Sequence, residues 1–547
     1  MLRRQGGGRL AVLFLAALLP SAWLAWNYGD MPQLGHFHDD EIYFSAGRSL
    51  ASGEGYRIAN LPERPWQTKY PPLYPLWLSL VWRLDGRFPG NLGLATLLNW
   101  VLVAPLFAVS LAVFRDLGLG RLQSWLLLGF MAVNPYLCFL SITLMAEAPF
   151  AVLALSSLLV AGRAARPRAA WWVAAAAGAL GGAAYLTKAV GLALLAAVPA
   201  AFVLKKQWRL AAWYAAGMLP WVAAWNLWAH AHLPAGNDWV TLYYNNYLGF
   251  QLYNVTAENF LSVVWHNVND LATGMANLLV FQLGVEAEGA PWRRSLCWVL
   301  AVGTFSGLRR LAVRAGGVRY LAYAAAFSLV LVVWHYPPTD RLVLPLMPLL
   351  AAGIAAELAH LAGNLRRAVA RSAGRGQRVT AVAMGAGLVA LLGWTALVTA
   401  RALVRVVPAS LDAKRELARQ RRQAYQWIAR HTPAGARFVA ANDAQLTLYT
   451  GQASCRVPSV PKWLYQGDRA QFLLKPLLDL PRFMRARGLD YLLVTAGDYE
   501  RDLTAEERAR AAARLRVAPE LERLWEGPGA EVYRLRREVK GLPAPGP

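Results

Sequence analysis

LAVLFLAALLPSAWLAW, residues Leu10 to Trp26, and HFHDDEIY, residues His36 to Tyr43, decide how the rest of the chain is read. The first is apolar but for Ser21 and, as a helix, falls in the range of lengths that cross a hydrocarbon core of about 30 Å. The second sets three consecutive carboxylates, Asp39, Asp40 and Glu41, just beyond it, in a chain that otherwise avoids acid for long stretches. Solvation alone explains that placement poorly. A site at a membrane surface explains it better.

Working outward, similar apolar runs recur as far as Arg401 in a chain of 547 residues with 56% hydrophobic residues, only 16% charged residues and 23 tryptophans. This composition excludes an ordinary soluble protein. Helices are the expected form, because backbone polar groups cannot stay unpaired in lipid. The formal charge of +24 falls largely in short connections between apolar runs. That is the positive-inside bias rather than a nucleic-acid footprint, and no nucleic-acid motif accompanies it. Cys138, Cys297 and Cys455 are too scattered for a disulfide framework or a paired-cysteine metal site.

The basic Met1 to Gly8 segment followed by an apolar run without a small-residue cleavage site reads as an uncleaved first span with a cytoplasmic N-terminus. Residues 27–90 then form a first outer loop in which Leu73 to Leu84 lies at the interface. Further spans follow at Leu92–Phe114, Leu122–Leu140, Glu147–Val160, Ala170–Leu186, Gly191–Leu204 and Trp213–Trp228. A long outer loop, 230–292, precedes Leu296–Leu308, Tyr320–Trp334, Leu342–Leu361 and Val379–Leu403. Every Arg-rich connection, including Arg366 to Arg378, then falls on one side. Residues 405–547 change to a soluble composition, with helical patterns at Leu411–Arg430, Ala444–Thr450 and Leu480–Arg487 and strands at Arg437–Ala441, Asp490–Thr495 and Glu531–Leu535. The fold class is a polytopic α-helical membrane protein of about 11 to 13 transmembrane helices with a small C-terminal α/β extracytoplasmic domain. That domain has no phosphate loop or nucleophile elbow and reads as a cap, an acceptor-handling module or a stabilising element.

The alternation brings Asp39, Asp40, Glu41, Lys69, Glu147, Lys188, His335 and Arg341 to outer span ends or outer loops. Convergence of ionisable groups on one face reads as a site, whereas a transporter would set some of them at mid-membrane. Phe37, Ile42, Tyr43 and Phe44 flank the acids with apolar surface, which raises a carboxylate towards the range of a general base. Glu147 opens a span, a place the helix dipole also favours for an acid. Lys69 precedes the stiff Tyr70-Pro71-Pro72, and Lys188 is nearly alone in a short outer connection. Snorkelling is the alternative explanation for either lysine. Arg341 either pairs with its neighbour Asp340 or faces the acids. Cations opposite carboxylates at headgroup depth suit a phosphate that is held and released. His36-x-His38 and His230-x-His232 have permissive metal-ligand spacing beside Asp39 or Asp40, but no ligand is assigned. Trp239, Tyr243, Tyr244, Tyr247, Phe250 and Tyr253 read as an interface belt, with sugar stacking as the alternative.

Taken together, the acids after the first span, Gly55-Tyr56, Lys69-Tyr70-Pro71-Pro72-Leu73-Tyr74-Pro75, Glu147-Ala148-Pro149 and Leu186-Thr187-Lys188 resemble the GT-C superfamily of membrane glycosyltransferases. The pattern is similar to family-39-like enzymes, such as dolichyl-phosphate-mannose protein mannosyltransferases and lipid A aminoarabinose transferases, and covers residues 10 to 400. The resemblance implies an inverting transferase domain over 1–404. It would move a sugar from a polyprenyl-phosphate donor to an acceptor hydroxyl on a glycolipid, glycan or protein, at the periplasmic face of a bacterial inner membrane. Asp40 would be the general base with Glu41 behind it and Asp39 in reserve. Members carry Asp-Glu where this chain has Asp-Asp-Glu, which leaves the choice between the neighbours open. Glu147 would orient the acceptor or the base, and Lys69, Lys188 and Arg341 would hold the donor phosphate, with Tyr70 and His335 completing the substrate-binding set. No cofactor is assigned, and a divalent metal is left open. A transporter or flippase of a lipid-linked envelope intermediate is the competing reading, and a non-catalytic assembly or sensor protein a third.

Overall fold

The computed structural model describes residues 2–281, 283, 289–371 and 375–536. Positions 282 and 284–288 of the outer loop, 372–374 of the basic connection and 537–547 of the C-terminal segment lie outside the described residues. Every apolar run read as a span is helical. Among the described residues six helices are long and apolar enough to cross a membrane, or seven if a bent pair counts as one. The helices Ala189–Leu204 and Val318–Val332 are apolar but shorter.

Small residues let these helices approach closely, as in other membrane bundles. A Cβ on Gly178 would overlap the Tyr214 carbonyl, joining Trp171–Thr187 to Trp208–Ala231, and one on Gly307 would overlap the Gly353 carbonyl, joining Pro291–Ala315 to Met347–Arg371.

The run expected as one straight span over Leu122–Leu140 is instead two helices, Arg121–Ala132 and Pro135–Ser141, bent by 64°. The cause is local. Asn134 accepts a hydrogen bond from the Leu137 amide at 3.1 Å and Pro135 has no N–H to continue the first helix, so a new helix N-terminus forms.

The first outer loop folds into the helices Asp39–Ala51 and Leu73–Leu84, fastened where Trp82 Nε1 donates to the Phe44 carbonyl at 2.9 Å. The long outer loop carries Trp239–Asn245, Tyr247–Asn254 and Phe260–Leu279. At the far end, Arg375–Arg401 runs through a wide turn at Ala402–Val406 into Val407–His431 without a break. The composition change near 405 therefore falls inside one continuous helical rod.

Five strands follow: β1 (Arg437–Val439), β2 (Ala453–Cys455), β3 (Tyr491–Thr495), β4 (Leu521–Gly527) and β5 (Ala530–Leu535). Their order is β2-β1-β3-β5-β4, parallel among the first three and antiparallel where β5 joins β3 and β4. The expected α/β character is present, with β2, β4 and the helix Ala505–Arg516 in addition.

This domain is sewn to the first outer loop. The Ser454 amide donates to the Asn60 carbonyl at 2.6 Å, Gln445 Nε2 to the Leu34 carbonyl at 3.2 Å and Asn442 Nδ2 to the Gly35 carbonyl at 3.2 Å. Gly35 has φ +84° and faces Asn442 so closely that any Cβ would collide with it, so the position demands glycine. Apolar residues of both parts, among them Phe44, Tyr74, Phe250, Val439 and Leu492, form one shared core.

Candidate active site

The helix Asp39–Ala51 opens on three acids whose side chains leave it about 100° apart, so neighbours cannot share a target. Asp39 lines a cavity of about 370 Å³ between the membrane helices and the C-terminal domain. It accepts hydrogen bonds from Tyr70 at 2.6 Å and Arg341 Nη2 at 2.9 Å. Burial pushes its pKa up, but Arg341, Lys69 and the Tyr70 hydroxyl outweigh that and hold it at about 2. Asp40 is fully buried, does not line the cavity and accepts the Gly35 amide at 2.8 Å. Burial raises it to about 7, with Asp39 adding to the effect against the Gly35 hydrogen bond. Glu41 is also fully buried and away from the cavity, accepting the Gln445 amide at 3.2 Å. Burial, Asp443 and Asp40 raise its pKa.

Lys69 lines the cavity in a box of rings, its Nζ 4.2 Å from the Tyr243 centroid and 5.0 Å from that of Tyr70. Among the described residues it has no carboxylate at ion-pair distance. Burial lowers its pKa to about 8, against the opposing pull of Asp39. Holding that charge at neutral pH costs about 3 kcal/mol, and an incoming anion would offset the cost.

Lys188 does not snorkel, for its Nζ donates to Glu147 Oε1 at 2.6 Å. Arg341 does not pair with Asp340, which accepts from Asn277 at 2.9 Å; besides Asp39 it reaches Glu147, Nε to Oε1 at 3.4 Å. Glu147 is 1% exposed and does not line the cavity, so it acts on the site by holding Lys188 and Arg341. His335 lines the cavity among Trp334, Tyr336 and Phe250, with Nδ1 2.6 Å from Gln251 Oε1. The set Asp39, Lys69, Tyr70, Lys188, His335 and Arg341 thus shares one cavity, while Asp40, Glu41 and Glu147 stand behind it.

One reading is corrected. Tyr243, Tyr244 and Phe250 are buried at the site rather than lying in a lipid-facing belt, because Asn246 caps a helix that turns their segment inwards. The members of each histidine pair have separate surroundings. His36 meets Lys414 at 3.1 Å, His38 meets Tyr243 and Asp443, and His232 meets the Trp228 carbonyl.

Sequence reasoning missed the opposite wall. Lys414, Arg421, Arg456 and Arg501 from the C-terminal domain face the same cavity, whose lining holds seven Lys or Arg against three Asp or Glu. Neither Arg456 nor Arg501 has a carboxylate at ion-pair distance among the described residues. Single arginines spread over eighty residues carry no sequence signature; only folding collects them.

The fold is shared with known membrane-protein crystal structures. The chain aligns with the crystal structure of ArnT from Cupriavidus metallidurans in the apo state, at 15% identity and a TM-score of 0.50 over 97% of this chain and 98% of that one. With the same protein bound to undecaprenyl phosphate the values are 16%, 0.50, 98% and 99%. The archaeal oligosaccharyltransferase AglB from Archaeoglobus fulgidus, in complex with an inhibitory peptide and a dolichol-phosphate, aligns at 13% identity and a TM-score of 0.49, covering 89% of this chain and 69% of that one. No protein-family model matches the sequence, and no curated protein is significantly similar to it.

Proposed function

We propose that this protein is an integral-membrane inverting glycosyltransferase that moves a sugar from a polyprenyl-phosphate donor to a hydroxyl of a cell-envelope glycolipid, glycan or protein. The observation that carries the reading is an ionised, cavity-facing Asp39 within one enclosure with Lys69, Lys188 and Arg341. Asp39 accepts the acceptor hydroxyl's proton as its oxygen attacks the anomeric carbon. The sugar–phosphate bond breaks, and its electron pair leaves on the polyprenyl phosphate, whose charge Lys69 and Arg341 stabilise. Phosphate is a good leaving group, so positioning and charge stabilisation supply most of the catalysis.

Asp40 has the more suitable pKa in the unliganded protein but no path to a substrate, and geometry ranks ahead of basicity. A bound phosphate anion opposes the field of Lys69 and Arg341 and so makes Asp39 a better base when the donor is present. Arg456 and Arg501 on the far wall, with no carboxylate at ion-pair distance among the described residues, favour an acceptor or sugar that carries negative charge.

The test is sugar transfer in membranes supplied with a radiolabelled polyprenyl-phosphate sugar, compared with membranes lacking the protein. Label incorporation with matching release of polyprenyl phosphate is expected, and movement of intact donor across the bilayer without transfer would favour a flippase. The site and the C-terminal domain lie on the periplasmic face in this reading. A periplasm-active phosphatase fused after Thr432 should therefore be active; an inactive phosphatase with an active cytoplasmic reporter at that point would overturn the orientation.

A further inference from the structure

Three fully buried ionisable groups beside Asp39 have no part in this chemistry. His38 Nε2 lies 2.7 Å from Asp443 Oδ1 and 3.6 Å from Glu41 Oε1, and one ligand atom from each of the three lies within 4.8 Å of the others. Side-chain exposure is 5% for His38 and 0% for both acids. Among the described residues, no lysine or arginine stands at ion-pair distance from either carboxylate, and Glu41 Oε1 accepts no hydrogen bond. Arg456 and Arg421 act on Glu41 from a distance, but without a direct cation partner buried carboxylates cost several kcal/mol each. A divalent ion with a neutral imidazole makes the set neutral.

The atoms turned away from the common centre are all engaged. His38 Nδ1 meets the Tyr243 hydroxyl at 2.6 Å. Asp443 Oδ2 accepts from Asn60 Nδ2 at 2.8 Å and from the Tyr244 hydroxyl. Glu41 Oε2 accepts the Gln445 amide at 3.2 Å. Such outer partners orient the ligands of a metal. His38 also holds φ +63°, a conformation that persists in a non-glycine residue only where its surroundings enforce it. A proton shared between His38 and Asp443 accounts for the 2.7 Å separation but leaves Glu41 Oε1 facing the pair unbonded.

We propose that His38, Glu41 and Asp443 hold a zinc ion that pins the start of the first outer helix to the C-terminal domain. One imidazole nitrogen and two carboxylate oxygens form a borderline donor set suited to zinc. The nitrogen's separations from the two oxygens, 2.7 and 3.6 Å, bracket the roughly 3.3 Å between ligands around a tetrahedral ion with bonds near 2.0 Å. The ion is a positioning device. It sets the turn from which Asp39 reaches the cavity and seats Asn442 beside Gly35.

The test uses the full chain, purified in detergent from zinc-supplemented cells without chelator. About one zinc per chain is expected by elemental mass spectrometry, falling below about a tenth in His38→Gln and in Asp443→Asn but unchanged in His36→Gln. Wild-type protein stripped with chelator should regain thermal stability when zinc chloride is added, and with cobalt should show the visible absorption of a four-coordinate site. This reconstitution decides the matter should the variants fail to fold. Zinc retained by both variants, or stripped protein indifferent to zinc and cobalt alike, overturns the proposal. None of these readings needs a substrate, so the result stands apart from the transferase assay.

Discussion

Replacing Asp39 with Asn should lower the rate of sugar transfer by about 10²- to 10⁴-fold, the usual range for loss of a positioned general base, while the protein still inserts and unfolds at a similar temperature. Asparagine keeps the shape and its single oxygen can still accept from one of Tyr70 and Arg341, which donate to different oxygens of Asp39, but it cannot take a proton. Asp40→Asn should be milder. Its Oδ1 can still accept the Gly35 amide, and removing a fully buried carboxylate also relieves a desolvation cost. The assay is initial-rate transfer in proteoliposomes with matched protein amounts and a parallel melting curve. Near-wild-type transfer by Asp39→Asn together with a dead Asp40→Asn would reverse the assignment.

The second large effect belongs to Lys69. Lys69→Gln should weaken binding of undecaprenyl phosphate by about 10- to 100-fold, the loss expected for a charge-assisted contact of about 1.5–3 kcal/mol. The wild-type pH profile carries the sign. A lysine lowered to about 8 is charged below that pH and neutral above it, so affinity for the phosphate should fall as pH rises through about 8. The groups facing Lys69 are Asp39, which favours its charge, Arg456, which opposes it, and the rings of Tyr70, Tyr243 and Phe250. A bound phosphate raises the lysine's pKa again, so the alkaline limb of kcat should lie above that of kcat/KM. In Lys69→Gln the limb near pH 8 should vanish. Its persistence in the variant would assign the titration to another group.

The bundle was legible because apolar length and Arg placement are dictated by the bilayer, a strong constraint acting on every span. The bend at Asn134 was less so, though Asn134-Pro135 is a helix-start signal inside an apolar run. Lys69, Lys188, Arg341 and Asp39 could be grouped from topology alone, because spans deliver their outer ends to one plane. The choice between Asp39 and Asp40 could not, since adjacent helical positions differ only in direction and the pattern favoured the one that proves to be buried. Asp443 and Arg501 lie hundreds of residues from the acids they approach, and only tertiary contact assigns them. The helix Ala505–Arg516 had a readable start in Thr504 and Glu507, whose reciprocal capping is formed.

The uninterrupted rod from Arg375 to His431 makes the roof of the cavity a mast stepped in the bilayer rather than a pennant on a cord. A flexible connection would let the cationic wall sample many distances from Asp39 and dilute its effect. A stiff one fixes that distance when the last span is seated. The C-terminal domain and the final span are consequently a single mechanical part, and excising the domain at 405 would saw through the mast instead of untying a knot.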